Sequence, residues 1–465
     1  MSELISAIAT GVWTPVLFLL ILGGLFFLLY SRFVQYKYFK HTIDILRGKF
    51  NNPDDPGQIN AYEALSTALA STVGMGNIAG VAAAISIGGP GALFWMWVTA
   101  FVGMSTNFFT STLSVMYRGK DSEGTIQGGP MYVIREALGK SWYPLAILFS
   151  LCAMVGCLPI FQANQLTQVI IDIGVTSETA KAATFAFLGY EISTPKFVIG
   201  TVLMIISGIV IIGGIQRIGS WAGKMVPLMI ILYFVSVLGI LVVNIGEVPR
   251  YLWMVITDAF AANHYHGEPA LGGIVGGLIV AGVRRASFSN EAGIGTAPMA
   301  LGASKSTEPI REGLVSMISP AIDTLLVCTL TALAILVTGV WQTSGASGVT
   351  LTATAFESSL GDVGKYLLLI CAFFFAITSL FSYSYYGNKA ISFMVGVKAG
   401  KYYDYFYLLT IILGAILSMH DVMNIIDIAY ALMSLPTMIS GFILAPKVMT
   451  EARSYFSRMK EDGKL

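Results

Sequence analysis

The sequence predicts an all-α integral membrane protein of eleven transmembrane helices: one at the N-terminus, then two five-helix halves that enter the membrane from opposite sides. Three observations lead there. The 465 residues are 55% hydrophobic and 11% charged, whereas a soluble domain carries about 25% charge. Apolar stretches recur at about the 20-residue length that crosses a hydrocarbon core of roughly 30 Å. Two of those stretches, one opening each half, are interrupted by paired glycines.

The first stretch, 13–34, is followed at once by charged sequence without an A-x-A-like cleavage site. That makes it a spanning helix rather than a cleaved leader, within an N-terminal region 1–60. Spans at 61–88, 91–117, 145–174, 197–215 and 225–246 form a first half, 61–247. After an outer connection, 248–269, spans at 270–303, 313–341, 363–388, 402–419 and 424–446 form a second half, 270–449, and 450–465 is a tail. Segment 270–303 would run about 51 Å if straight and contains Arg284, Arg285 and Glu291, so it is expected to be interrupted. The connection 120–143 holds a short interfacial helix near 129–140. Those at 250–268 and 342–362 carry apolar patches expected to lie along the membrane surface.

Lys and Arg placement orients the chain. Arg32, Lys37, Lys40, Arg47 and Lys49 follow the first span; Lys447, Arg453, Arg458, Lys460 and Lys464 follow the last. With both groups cytoplasmic, only Lys181, Lys196, Arg250 and Lys365 of the 27 basic residues fall in outer loops, and Arg284 and Arg285 fall inside the seventh span. The N-terminus is then outside and the C-terminus cytoplasmic, in a plasma (inner) membrane. The net charge of +1 implies no nucleic-acid partner. Cys152, Cys157, Cys328 and Cys371 lie in apolar stretches without metal-ligand or C-x-x-C spacing, and read as small buried residues.

Residues 71–80, Ser-Thr-Val-Gly-Met-Gly-Asn-Ile-Ala-Gly, carry the functional signal. Each glycine costs roughly 1 kcal/mol relative to Ala in a helix, and Thr72 and Asn77 are polar at membrane depth. The span is expected to unwind there, and freed backbone is tolerated in a membrane only where it is buried in protein or lines a cavity. Val73-Gly-Met-Gly-Asn77 is echoed by Ala292-Gly-Ile-Gly-Thr296, which enters from the opposite side. Paired broken spans in two inverted halves mark the binding site of a secondary transporter. Small-residue packing between helices would explain one such pair, less readily two beside polar groups. The composition and spacing thus point to a carrier of a small polar solute. An intramembrane enzyme is disfavoured: there is no H-E-x-x-H, no G-x-x-x-x-G-K-[ST] and no pair of intramembrane aspartates. A channel would not need two opposed breaks around one site.

Gly88-Gly-Pro-Gly-Ala-Leu-Phe-Trp-Met-Trp-Val-Thr-Ala-Phe-Val-Gly103 resembles the signature segment of the sodium:alanine symporters, the alanine or glycine:cation symporter family. Ser289-Asn-Glu-Ala-Gly-Ile-Gly-Thr-Ala-Pro298 and Gly128-Gly-Pro-Met131 are similar to further family segments, and the resemblance runs from about 58 to 450. It implies a leucine-transporter-like fold in spans two to eleven, with 13–34 added. It also implies sodium-coupled uptake of alanine or glycine by a carrier working as a monomer in the bilayer, with no organic cofactor. A proton-coupled carrier or a sodium-independent exchanger on the same fold is the alternative.

For a zwitterionic amino acid, donors must meet the carboxylate and acceptors the ammonium. The expected site is Thr72, Gly74, Met75, Gly76 and Asn77 in the first break, with Ser287, Phe288, Ser289 and Asn290 in the second. Amides of Met75, Gly76 and Asn77 begin the second half-helix and suit the carboxylate. Carbonyls of Thr72, Ser287, Phe288 and Ser289 suit the ammonium, with Phe288 closing one side. The fold analogy implies a sodium site from the carbonyls of Ala70 and Val73 with the hydroxyls of Thr378 and Ser379, and a second using Asn77. The alternative for the two hydroxyls is back-bonding to the preceding turn of their own helix. In the amide-rich fourth span, Gln162 and Gln168 are favoured as substrate or gate contacts over Asn164 and Gln165, though interhelical bonding accounts for such amides as well. Glu291 is expected to pair with Arg284 or Arg285, bracing the break or gating it, unless it takes part in ion coupling. His264, His266 and His420 read as surface or interfacial.

Overall fold

The computed structural model describes residues 2–463 apart from 176, 188–189, 261–272 and 418; the expectations for His264 and His266 lie outside the described residues, as does that for the side chain of His420. The fold is nearly all helix. Helix α1 (Ser2–Tyr30) precedes a helix pair broken by the Gly-Met-Gly-Asn segment. The first member, α2 (Ala61–Thr72), starts where a capping box sets it: the Glu63 amide donates to Asn60 Oδ1 at 2.9 Å, and the Asn60 amide to Glu63 Oε2 at 3.1 Å. The chain leaves the helix at Val73, makes a π-helical turn over Gly76–Gly80, and continues as α3 (Val81–Gly88) with a 47° bend. The expected unwinding of this span is therefore present.

Next comes α4 (Gly91–Met116), which carries the tryptophan-rich segment. Its tryptophans fasten helices together. Trp95 Nε1 donates to the Ala259 carbonyl at 3.0 Å and Trp97 Nε1 to Thr329 Oγ1 at 2.8 Å. A methyl group on Gly103 would stand 2.7 Å from Ala292 Cβ, so α4 lies directly against the second break. After α4 a short antiparallel hairpin pairs Gly119 with Gln127 and Lys120 with Ile126. Helical turns over Pro130–Val133 and Ile134–Leu138 then fill the region expected to hold a short helix.

Helix α5 (Ile160–Val169) bears the amide-rich stretch. A second hairpin, Thr184–Phe187 with Tyr190–Ser193, was not legible in the sequence. It leads into α6 (Thr194–Ile211) and α7 (Gly214–Val243), followed by α8 (Val248–Asp258) in the connection between halves. Segment 270–303 is interrupted, as its length required, into α9 (Gly273–Asn290) and α10 (Thr296–Leu301). The span from Pro309 to Val337 contains a π-helical stretch, Ala321–Cys328. Helix α11 (Gly348–Val395) changes direction at Gly361, whose φ of 62° lies outside any helix. It is followed by α12 (Val397–Ile416) and α13 (Met419–Glu461).

Among the described residues eight helices are long and apolar enough to cross a membrane, nine if the bent pair is one span. The two expected spans outside that number are 270–303, where α9 ends in Arg284, Arg285 and a polar turn and α10 is short, and 402–419, most of which falls in α12 behind Lys398, Lys401 and Asp404.

The ends of α2 and α10 that lie away from the breaks are tied together. The Gln58 amide donates to Ala303 O at 2.8 Å and the Lys305 amide to Ile59 O at 2.6 Å. Arg118, just past α4, donates to the carbonyls of Pro56 (3.0 Å), Gly302 (3.0 Å), Ser306 (2.8 Å) and Ser304.

Candidate functional site: two helix breaks meeting at buried carboxylates

The two breaks face each other in the interior. A methyl group on Gly76 would lie 3.5 Å from the Phe288 ring and from Ser289 Cα. Their backbones differ, although their sequences echo. At the first break both glycines keep negative φ, and Gly74 is demanded by space: an added methyl would stand 2.4 Å from Ser379 Oγ. The second break is left-handed at Glu291 (φ 55°), Gly293 (83°) and Gly295 (112°), a region glycine enters without strain and glutamate seldom does.

The amides freed at the first break have partners from the protein. Gly74 N donates to Asn77 Oδ1 at 2.8 Å, Met75 N to Gln162 Oε1 at 2.9 Å, and Asn77 N to the Gly74 carbonyl at 3.1 Å. The Asn77 amide, expected to face a carboxylate, is thus spent within the turn. Gln162 reaches the break, and its carbonyl oxygen occupies the Met75 amide. Gln168 does not. Its side chain donates to Asp172 Oδ1 at 2.7 Å further along the helix, because six residues along α5 carry it about 9 Å away. Asn164 bonds the carbonyls of Gly414 on α12 and Leu417 just past its end, the interhelical role.

Asp323 is the residue that sequence reasoning missed. It lies fully buried in the π-helical stretch and accepts from Asn77 Nδ2 at 2.6 Å, Ser289 Oγ at 2.9 Å and Thr324 Oγ1 at 2.8 Å. Asn290 joins the cluster through Thr324 Oγ1 at 3.1 Å, and Cys328 Sγ stands 3.3 Å from Asn77 Nδ2. One carboxylate therefore connects both breaks. The rule that flagged Glu291, that an ionisable residue inside a span is functional by default, applies to Asp323 equally.

Glu291 does not pair with an arginine. Its carboxylate accepts from Thr296 Oγ1 (2.5 Å), Tyr383 Oη (2.5 Å) and Tyr430 Oη (3.0 Å). The left-handed turn at residue 291 directs it away from the helical face of Arg284, which pairs instead with Asp427 of α13. One nitrogen of Arg285 is buried without a hydrogen-bond partner among the described residues. Phe288 packs edge-on to Phe161 at 5.0 Å and tilted on Tyr430 at 5.6 Å, an aromatic wall beside Gly76. The Ser287 hydroxyl is buried without a partner among the described residues. Thr72 back-bonds to Ala68 O at 3.2 Å. Ser379 Oγ lies 3.4 Å from the Ser71 carbonyl but also back-bonds to Phe375 O at 3.0 Å. Thr378 back-bonds to Phe374 O at 2.9 Å and its hydroxyl stands 3.5 Å from Met229 Sδ.

Comparison with known proteins fits this geometry. The family model described as the sodium:alanine symporter family matches residues 1–465. The chain belongs to that family. It is 34% identical over 471 residues to the sodium/alanine symporter AgcS of Methanococcus maripaludis, covering 99% of each chain. To the probable sodium/glutamine symporter GlnT of Bacillus subtilis it is 31% identical, over 97% of this chain and 90% of that one. Among solved structures, the crystal structure of MhsT in complex with L-phenylalanine superposes with a TM-score of 0.60, at 14% identity, covering 86% of this chain and 93% of that one. The fold is thus that of the leucine-transporter-like carriers, and the chain is a multi-pass membrane transporter of amino acids, not an enzyme.

Proposed function

We propose that this protein is a sodium-coupled symporter that carries a small neutral amino acid, alanine or glycine, into the cell by alternating access. The observation that carries the reading is the convergence of both helix breaks on Asp323, a buried carboxylate with no basic side chain within salt-bridge distance among the described residues. A buried charge without a partner costs several kcal/mol. A hard cation that prefers oxygen ligands supplies the missing charge. The Asp323 carboxylate and the Ser289 hydroxyl beside it suit sodium, and Asn77, whose Nδ2 faces Asp323 while its Oδ1 accepts from the Gly74 amide, would join them by turning its oxygen inward. A second sodium would use the carbonyls of Ala70 and Val73 with Thr378 and Ser379. The substrate carboxylate would take the amides of Met75 and Gly76, displacing Gln162. The ammonium would face carbonyls of Thr72, Ser287, Phe288 and Ser289, and Phe288 would limit side-chain size.

The architecture proposed with it has eleven spans, an extra N-terminal helix before two inverted halves of five, the N-terminus outside and the C-terminus cytoplasmic, working as a monomer in the plasma membrane. A second reading, proton coupling, is favoured by one observation: Asp323 and Glu291 are both fully buried with no basic side chain within salt-bridge distance among the described residues, so a proton could neutralise either. Uptake of labelled alanine into proteoliposomes under a sodium gradient, a pH gradient or neither, competed by a panel that includes glycine and glutamine, separates the two. Accumulation driven by sodium supports symport. Accumulation driven by pH alone transfers the role to protons, and none under either gradient overturns both.

A further inference from the structure

An apolar groove of about 640 Å³ runs between α6 and α12, lined by Met204, Ile205, Ile209, Leu408 and Leu409, with Arg217 of α7 at its end. We propose that this groove is a site for one anionic phospholipid, with an acyl chain in the groove and its phosphate on Arg217.

Four features support that occupant. The groove faces the hydrocarbon: Ile209 is 63% exposed in a protein whose apolar exteriors meet lipid. It is a hollow because Gly208 has no side chain, which lets Leu408 of the antiparallel α12 approach to 3.5 Å of where a methyl would be. Arg217 is held in place, folded over the Gly213 turn, with Nη1 donating to the Ile209 carbonyl at 2.7 Å. A guanidinium has five N–H donors, so four remain, and no carboxylate among the described residues lies within salt-bridge distance of Arg217. Such an arginine matches a phosphate, which it can grip with two parallel bonds.

The fourth feature is the level of the membrane surface. Lys398, Tyr402, Tyr405 and Leu409 follow one another at helical spacing along one exposed face of α12: a base, two aromatics, then an apolar residue. Trp221, one turn from Arg217 on α7, is 47% exposed. Aromatic residues of this kind mark the headgroup layer, and they place Arg217 in it. This end of the molecule is the one that the basic residues assign to the cytoplasmic side, whose leaflet carries the anionic lipids. Any apolar helix face is wetted by lipid. A charge at the mouth of a hollow adds selectivity for headgroup charge.

The test is native mass spectrometry of the full chain, delipidated in detergent and titrated with phosphatidylglycerol or phosphatidylcholine. Wild type should retain phosphatidylglycerol about fivefold better, the effect of one basic residue near an anionic headgroup. R217Q should reduce it to the phosphatidylcholine level, R217K should keep most of the preference, and I205W, which fills the groove from an exposed position, should lower retention of both. Equal retention of the two lipids by wild type overturns the proposal, as does wild-type selectivity in R217Q. If R217Q is not monodisperse, loss of retention in I205W decides for the groove and unchanged retention decides against it.

Discussion

Replacing Asp323 by Asn is the sharpest perturbation of the site. Asn keeps the size of the side chain and one acceptor oxygen, so the bonds from Ser289 (2.9 Å) and Thr324 (2.8 Å) can largely persist. What is lost is the negative charge, together with the bond from Asn77 Nδ2 (2.6 Å), which then meets an amide nitrogen. Removing one partner of a buried opposite-charge contact costs about 3–5 kcal/mol. Because the Ser289 hydroxyl and the acceptor oxygen of the introduced Asn remain to hold a cation, the lower end applies. About 3 kcal/mol raises the sodium concentration for half-saturation about 150-fold. The same substitution has an opposite effect without sodium, because it removes an uncompensated buried charge. The melting temperature in sodium-free buffer should therefore stay level or rise, while the share of the stabilisation by added sodium that comes from this site, which follows RT ln(1 + [L]/Kd), shifts to about 150-fold higher sodium. Two measurements check this: thermal melts across a sodium titration, and alanine uptake in proteoliposomes across the same range. The tryptophan signal gives a third, since Trp97 bonds Thr329 at 2.8 Å, the residue that follows the π-helical stretch bearing Asp323. A sodium half-saturation within threefold of wild type in well-folded D323N protein would refute the reasoning.

Other outcomes follow from the same geometry. Gly74→Ala should cut uptake at least about tenfold, since the methyl would stand 2.4 Å from Ser379 Oγ and overpacking costs about 1–3 kcal/mol; adding Ser379→Gly should restore folding, and normal uptake by the single variant would show that the break has room to spare. Gln162→Glu puts a like charge at the Met75 amide, and should raise the alanine KM about tenfold or more; an unchanged KM would place the substrate carboxylate elsewhere. Arg284→Gln should destabilise the protein by about 3–5 kcal/mol by leaving Asp427 unpaired, and Asp427→Asn added to it should recover most of that in a double-mutant cycle of thermal melts. Additive losses would disprove the pair. Glu291→Gln should leave this cycle unchanged, because Glu291 bonds only hydroxyls among the described residues.

Helix breaks were legible because their cause is local. Glycine at 74 and 76 lowers helix stability wherever the chain goes, and the length of 270–303 against a fixed bilayer forced a second interruption. Gln162 was legible as one of several buried amides, but helical spacing puts Gln168 on the face of Asn164, and nothing local separated the amide that reaches the break from those that do not. What stayed hidden is long-range. Asn77 and Asp323 are 246 positions apart, and Arg284 finds Asp427 across 143; no periodicity encodes such partners. The expected Arg–Glu pair rested on closeness in sequence, which a left-handed turn at Glu291 undoes. The echo between the two Gly-x-Gly segments likewise marked where helices stop without fixing how, one through crowding against Ser379 and the other through positive φ.

The tie between Pro56–Ile59 and Gly302–Ser306 has a mechanical meaning. A half-helix hinged at a break could swing alone if its far end were free. Here the far ends of α2 and α10 are stitched by backbone bonds, and one guanidinium grips four carbonyls across them. They form a single lever with two fulcrums, one at each break. A load on one arm is felt by the other, so this end of the two broken helices moves as a unit or not at all.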